Sequence, residues 1–318
     1  MNVECVLAFS DQRTVTLTEC LRFSLLRDRY QAFAALSAQF FIDDFAELPD
    51  SAAFRINGLL VHYGSVQKSE CIREKGRLTI RFASRSFTYA LLRNQLVPDV
   101  YFQVTLRSLM ETYHLPKIEY DDRMDPVRYV VVKENTAMWD TIVAYNYKLC
   151  GGFPYVRVPN LLCMMPQTGT AVTVLPADRV TDERQGGSCT EMISRIDMAN
   201  SLGEYGSYTM ENPEAIRRGI VRNRQIKLDK QYLYDPLDAL RFRIALGNRR
   251  LDSRSFRYIG YCGEDLEDLC EIGGLTARVS RILITGSEKG IFTEDTFYFD
   301  SFCNRAAHSA EAAESRAV

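Results

Sequence analysis

Hydrophobic and polar positions alternate through most of the first hundred residues. Val3, Cys5, Leu7 and Phe9 share one parity against Glu4, Val6 and Ala8, and Val15 and Leu17 alternate with Thr14, Thr16 and Thr18. Leu78, Ile80 and Phe82 alternate with Arg77, Thr79 and Arg81, directly after the turn signal Lys75-Gly76. Successive side chains on a strand point to opposite faces, so this period of two predicts half-buried antiparallel strands. A further pair is predicted over 54–56 and 59–62, turned at Asn57-Gly58. The stretch SRSFTYALLRNQ then changes period, with Phe87, Ala90 and Leu91 at helical spacing. A β-barrel or sandwich closed by a helix fits these signals.

The pattern over 103–114, QVTLRSLMETYH, predicts a second helix, stopped by Leu115-Pro116. After an acidic stretch comes RYVVVKENTAMWDTIVAYNYKLCGGFPYV, which holds the sole tryptophan. Tyr129 to Val132 read as a strand, Thr136 as the N-cap, and Ala137 as the first helical residue. Trp139, Ile142, Val143, Asn146, Tyr147 and Cys150 fall on one face at steps of three and four. Gly151-Gly152 ends the helix, because glycine takes the left-handed conformation without a side-chain penalty. A short hairpin turned at Pro159-Asn160 completes a strand-helix-hairpin unit over 128–166. Trp139, Ile142, Val143 and Tyr147 are read as its structural core, since an inward tryptophan on a periodic face is a packing anchor before it is a ligand platform.

The remainder returns to strands. Met192, Ser194, Ile196 and Met198 alternate, and EYGSYTM is the facing strand, turned around Ser201 to Gly203. The basic run EAIRRGIVRNRQIKLDKQ leads into a helix over 236–246, opened by Asp235 and Pro236 and stopped at Gly247. GLTARVSRILIT and IFTEDTFYF form a hairpin about GSEKG, with a phase slip between Val279 and Ile282 that predicts a bulge. The tail 303–318 is small and polar, and is expected to be disordered.

Composition narrows the function. At 318 residues, two or three domains are expected. A net charge of −2 argues against a dedicated polyanion binder, so no specific nucleic acid is expected. No run reaches the ~20 apolar residues of a membrane span, so no membrane insertion is expected, and no secretory signal is visible at MNVECVLAFSD. The nine cysteines are scattered singly with no C-x-x-C, which points to reduced, mostly buried thiols in a protein made in a cytoplasm.

Catalytic chemistry has little to stand on. Of three histidines, His62 sits in a predicted strand, His114 at a helix end and His308 in the tail, none with a partner at useful spacing. No catalytic, metal or cofactor residues are assigned. Asp43-Asp44 and Asp121-Asp122 read as solvated surface. The strongest charge feature is Arg217, Arg218, Arg222 and Arg224, with Lys227 and Lys230, read as a charged linker face or as arginines meeting acids on a neighbouring subunit.

The order of the pieces is informative. LTIRFASRSFTYALLRNQ closes a β segment, a KENTAMWDTI…GG-x-PYV module follows, and a second β segment carries a long helix and a terminal hairpin. Across 75–94, 129–166 and 190–300 this arrangement resembles the baseplate hub proteins of bacteriophage tails and phage-derived contractile injection particles, the late control protein D family. The resemblance implies a β-rich α+β fold, with two tube-like antiparallel β-barrel domains over 1–102 and 167–302 and a small α+β module over 103–166. It implies a non-enzymatic homotrimer whose tube-like domains form a ring joining the six-fold tail tube to the three-fold spike. Tail tube, spike, other baseplate proteins and tape measure protein would be its partners, and some of the four arginines would line the lumen or an interface. The site of action would be a virion or tail-like particle assembled in the bacterial host cytoplasm. The competing reading is a cytoplasmic mixed α/β ligand-binding protein or enzyme with a cleft near Trp139, Asp140 and Tyr145.

Overall fold

The computed structural model describes residues 2–44, 47–121, 125–165, 171–228, 235–300 and 302. The first segment supplies β1 (Val3–Ala8), β2 (Thr14–Leu17), β3 (Cys20–Asp28), β4 (Ala35–Phe41), β5 (Ser51–Ile56), β6 (Leu59–Glu74) and β7 (Arg77–Ser86), then α1 (Ala90–Arg93). The middle supplies β8 (Asp99–Val104), α2 (Leu106–Met110), β9 (Glu119–Tyr120), β10 (Val127–Val132), α3 (Met138–Cys150), β11 (Tyr155–Arg157) and β12 (Leu161–Cys163). The last contains β13 (Thr173–Val174), β14 (Val180–Gly186), β15 (Arg195–Met198), β16 (Tyr208–Glu211), α4 (Pro213–Arg217), β17 (Asn223–Ile226) and α5 (Pro236–Asn248). It ends with β18 (Ser253–Ile259), β19 (Leu269–Ile272), β20 (Leu275–Arg278), β21 (Arg281–Ser287) and β22 (Gly290–Tyr298). The fold is β-rich α+β.

Two separate barrels were expected, and here the structure differs. Eleven strands from both ends of the chain form one sheet, ordered β14-β18-β22-β21-β3-β4-β7-β6-β5-β1-β2. No closed barrel occurs among the described residues. The join is the antiparallel pairing of β3 with β21, which sets Phe23 against Gly286, Leu25 against Ile284 and Asp28 against Arg281. A β carbon on Gly286 would lie 2.0 Å from the Phe23 ring, so glycine is what lets the ring fold across the join. Phe23 in turn tilts against Phe54 at 4.8 Å, inside a core that draws buried residues from β1 to β7 and from β18 to β22.

Several sequence expectations shift for local reasons. The predicted helix after β7 is one 3-10 turn, Phe87–Tyr89, and the four residues of α1. The helix expected over 103–114 shrinks to α2, because Gln103 is left-handed (φ 51°) and Thr105 caps the helix through Ser108 in a reciprocal capping box. In α3 the N-cap is Ala137 rather than Thr136, while Gly151 closes the helix at φ 70° and donates to the Tyr147 carbonyl at 2.7 Å. Gly247 lies inside α5 and does not stop it. A β carbon there would sit 2.7 Å from the Glu191 carbonyl oxygen, so the residue marks a close approach. The phase slip near Val279 is a change of sheet. β20 pairs with β19 in a three-stranded sheet, and after Val279-Ser280 the chain enters the large sheet as β21. The tail expectation for 303–318 lies outside the described residues.

Candidate functional site: a buried charged joint and open strand edges

The end of β3 reads Arg27-Asp28-Arg29-Tyr30, and strand alternation sends these side chains two ways. Arg27 Nη1 meets Asp265 Oδ1 at 2.5 Å, and Arg29 pairs with Glu267, whose side chain is wholly buried, as is nearly all of Arg29. Asp28 turns the other way. Its Oδ2 accepts from Arg250 Nη2 at 2.8 Å and from the Tyr298 hydroxyl at 3.2 Å, while Tyr30 donates to Asp300. Asp265 also accepts from the Val158 amide at 2.9 Å, and Arg157 Nη2 reaches Asp268 Oδ1 at 2.8 Å. One stretch of β3 is thereby tied to the loop before β19, to the hairpin of β11 and β12, and to the end of β22. Breaking such a buried pair by removing one partner costs roughly 3–5 kcal/mol.

Beside this joint lies a pair of buried carboxyl groups. The Tyr258 hydroxyl is 2.7 Å from Glu264 Oε1 and 3.3 Å from Asp295 Oδ2, and the Cys262 amide donates to Glu264 Oε2 at 3.1 Å. Burial pushes the Glu264 carboxyl above the usual carboxylate range. Burial and the neighbouring Glu264 push Asp295 well above it too. The Tyr258 hydroxyl lies within hydrogen-bond reach of both acids. His62, on β6, is driven the other way, down to about 3 by burial and by the nearby Arg27 charge, and its Nε2 sits 2.8 Å from Ser84 Oγ. Among the described residues no group of three or more His, Cys, Asp or Glu side chains is placed to hold a metal ion.

Trp139 is 5% exposed and meets Phe153 edge-on at 6.2 Å. Ile142, Val143 and Tyr147 are buried with it, and Tyr147 packs against Phe242 of α5 at 4.6 Å. Asp140 is exposed, and Tyr145 is buried with its hydroxyl donating to the Asp125 carbonyl at 2.9 Å. The tryptophan ring is therefore buried, with the Phe153 ring against it.

The four basic-run arginines do different things. Arg217 and Arg218 both hold Glu214, at 2.5 and 2.7 Å. Arg222 binds main-chain carbonyls, including that of Met192 at 2.8 Å, and so fixes the loop before β15. Arg224 projects from β17, whose single neighbour among the described residues is β15, and is exposed. The joint residues Arg27, Arg29, Asp265 and Glu267 were not singled out from sequence. Their signal was present, as two arginines continuing the parity of Phe23 and Leu25 and as the acid-rich GEDLED that answers them.

This arrangement, one long sheet with a small α+β module beside it, is a fold shared with solved phage tail proteins. The structure is similar to that of a tail protein from Neisseria meningitidis MC58, with a TM-score of 0.70 and 10% identity over 96% of this chain and 99% of that one. A 43 kDa tail protein of prophage MuSo2 from Shewanella oneidensis is similar with a TM-score of 0.67 and 14% identity, covering 95% and 98%. An Escherichia coli type VI secretion component, described as structurally similar to the T4 tail proteins gp27 and gp5, gives 0.52 and 9%, covering 89% and 74%. No protein-family model matches the sequence, and no curated protein matches it.

Proposed function

We propose that the chain is a non-enzymatic hub subunit of a phage tail or tail-like injection particle, forming a trimeric ring that joins the six-fold tail tube to the three-fold spike. The observation that carries this reading is the state of the large sheet's edges. Among the described residues β14 ends the sheet with β18 as its single neighbour. The outer half of β6, from Lys68 to Glu74, pairs with β7 on one side, while β5 stops at Ser65 on the other. An open strand edge is a template for another strand, and charged side chains such as Asp182, Glu183, Lys68 and Glu70 limit unwanted pairing. Two different open edges on one chain suit head-to-tail contact, which closes into a ring when the rotation per subunit divides the circle.

On this reading the tube-like units of 1–102 and 167–302 sit around the lumen, with the 103–166 module outside. Tail tube, spike, other baseplate proteins and tape measure protein are the partners, in a particle assembled in the host cytoplasm. The test is the solution mass by light scattering, alone and with the products of neighbouring genes. A trimer, or a three-fold complex with a spike-like partner, is expected. A monomer that ignores every partner overturns the proposal.

A further inference from the structure

At the end opposite β14 the sheet finishes in β2, whose single neighbour among the described residues is β1. The outer edge of β2 borders a cleft of about 330 Å³. Phe9, Leu17, Phe41 and Ile42 give it an apolar floor, and Glu19, Asp43 and Asp44 give it an acidic rim. Among the described residues none of these three carboxylates forms an ion pair. Arg13, also at the cleft, is drawn towards Asp11 at 3.7 Å and lies 4.7 Å from the centre of the Phe9 ring. Main-chain groups along an open edge, an apolar floor and unpaired carboxylates together make a seat for an extended segment that carries an apolar side chain and cations.

This chain contains such a segment. β17 is an edge strand of its own three-stranded sheet. Val221 just before it is 88% exposed, and Arg224 and Lys227 are exposed with no acidic partner among the described residues. In extended chain the odd spacing of Val221 and Arg224 puts them on opposite sides, one towards a floor and the other towards a rim. The apolar edge of β8, by contrast, offers Val100 and Phe102 beside Asp99, the wrong sign for this cleft.

We infer that β17 of one copy adds to β2 of the next, with Val221 entering the cleft and Arg224 over the rim formed by Glu19, Asp43 and Asp44. Because β2 and β17 are different surfaces, the contact runs head to tail. It rests on the ring reading and names one of the contacts that would close it.

The probe is a fluorescent synthetic peptide of residues 219–228, titrated by anisotropy against the full chain. Saturable binding is expected, weaker at higher salt and weakened about tenfold or more in the Asp43→Lys/Asp44→Lys double variant. No binding, or equal binding to that variant, overturns the contact. In the assembled particle, Thr16→Cys with Gln225→Cys in one full chain is expected to yield intermolecular disulfides, located by peptide mapping. A chain that assembles three-fold without that cross-link sinks this contact alone, whereas one that stays monomeric with every partner sinks it together with the ring.

Discussion

Gly286 of β21 lies directly opposite Phe23 of β3, and the phenyl ring occupies the space a β carbon on Gly286 would need. The join between the two ends of the chain therefore depends on the absence of a side chain at one position. Gly286→Ala is expected to destabilise the fold by ~1–3 kcal/mol through overpacking. Phe23→Leu should be costly by itself yet recover part of the Gly286→Ala loss when the two are combined. Denaturant unfolding of the four proteins decides it, and strict additivity would show that the contact carries no coupling.

The Arg29–Glu267 pair is the most deeply buried ion pair in the joint. Glu267→Gln or Arg29→Met alone should lower stability by roughly 3–5 kcal/mol, because each breaks a buried ion pair by removing one of its two charges. The double variant should lose clearly less than the sum. Urea midpoints for the cycle measure this, and a single variant within ~0.5 kcal/mol of wild type would contradict it.

Two buried groups make stability depend on pH from opposite sides. Asp295 has a raised carboxyl in the folded state, so its contribution is complete below the ordinary carboxylate range and is lost as pH rises through the folded value. Asp295→Asn should flatten the fall in melting temperature as pH rises above the ordinary carboxylate range. If the slope there is unchanged, the buried acid pair is not its source.

His62 works in the other direction. Its folded value of about 3 lies below the ordinary 6.5, so its contribution is complete above 6.5 and is lost as pH falls towards 3. One proton taken up on unfolding gives a slope of about 1.4 kcal/mol per pH unit in that window. His62→Gln should remove that slope, measured by unfolding free energies between pH 7 and pH 4.

Trp139 reports on the small module because it is the sole tryptophan. Its enclosure predicts blue-shifted emission and weak acrylamide quenching in the native chain, both lost on unfolding. Trp139→Ala should cost ~3–5 kcal/mol by leaving a cavity against Phe153. Native emission that responds saturably to small metabolites would instead favour a ligand site there.

Local patterning made much of this fold legible. The parity of Val3 to Phe9 and of Leu78 to Phe82, the Asn57-Gly58 turn (φ 51° and 81°), and the glycine that ends α3 were all visible in residue order. β3 was not, because its hydrophobic parity runs on into Arg27 and Arg29, which look like surface until their acids arrive from Asp265 and Glu267. Strand pairing between distant segments leaves no local trace, so the single sheet was read as two barrels. The basic run was found as a block, and only its contacts separate Arg222, which binds carbonyls, from Arg224, which faces solvent.

The pairing of β3 with β21 also has a consequence in time. β3 is synthesised early and β21 only after most of the sequence has followed, so on the ribosome the first strands must wait with one edge bare and with Arg27 and Arg29 lacking their acids. Contacts of such long sequence separation close slowly. Until they close, the bare edge can pair with another nascent chain. Completion of the sheet thus acts as a checkpoint on the whole polypeptide, and a chain cut short before β21 would be left as an aggregation-prone fragment rather than a smaller folded subunit.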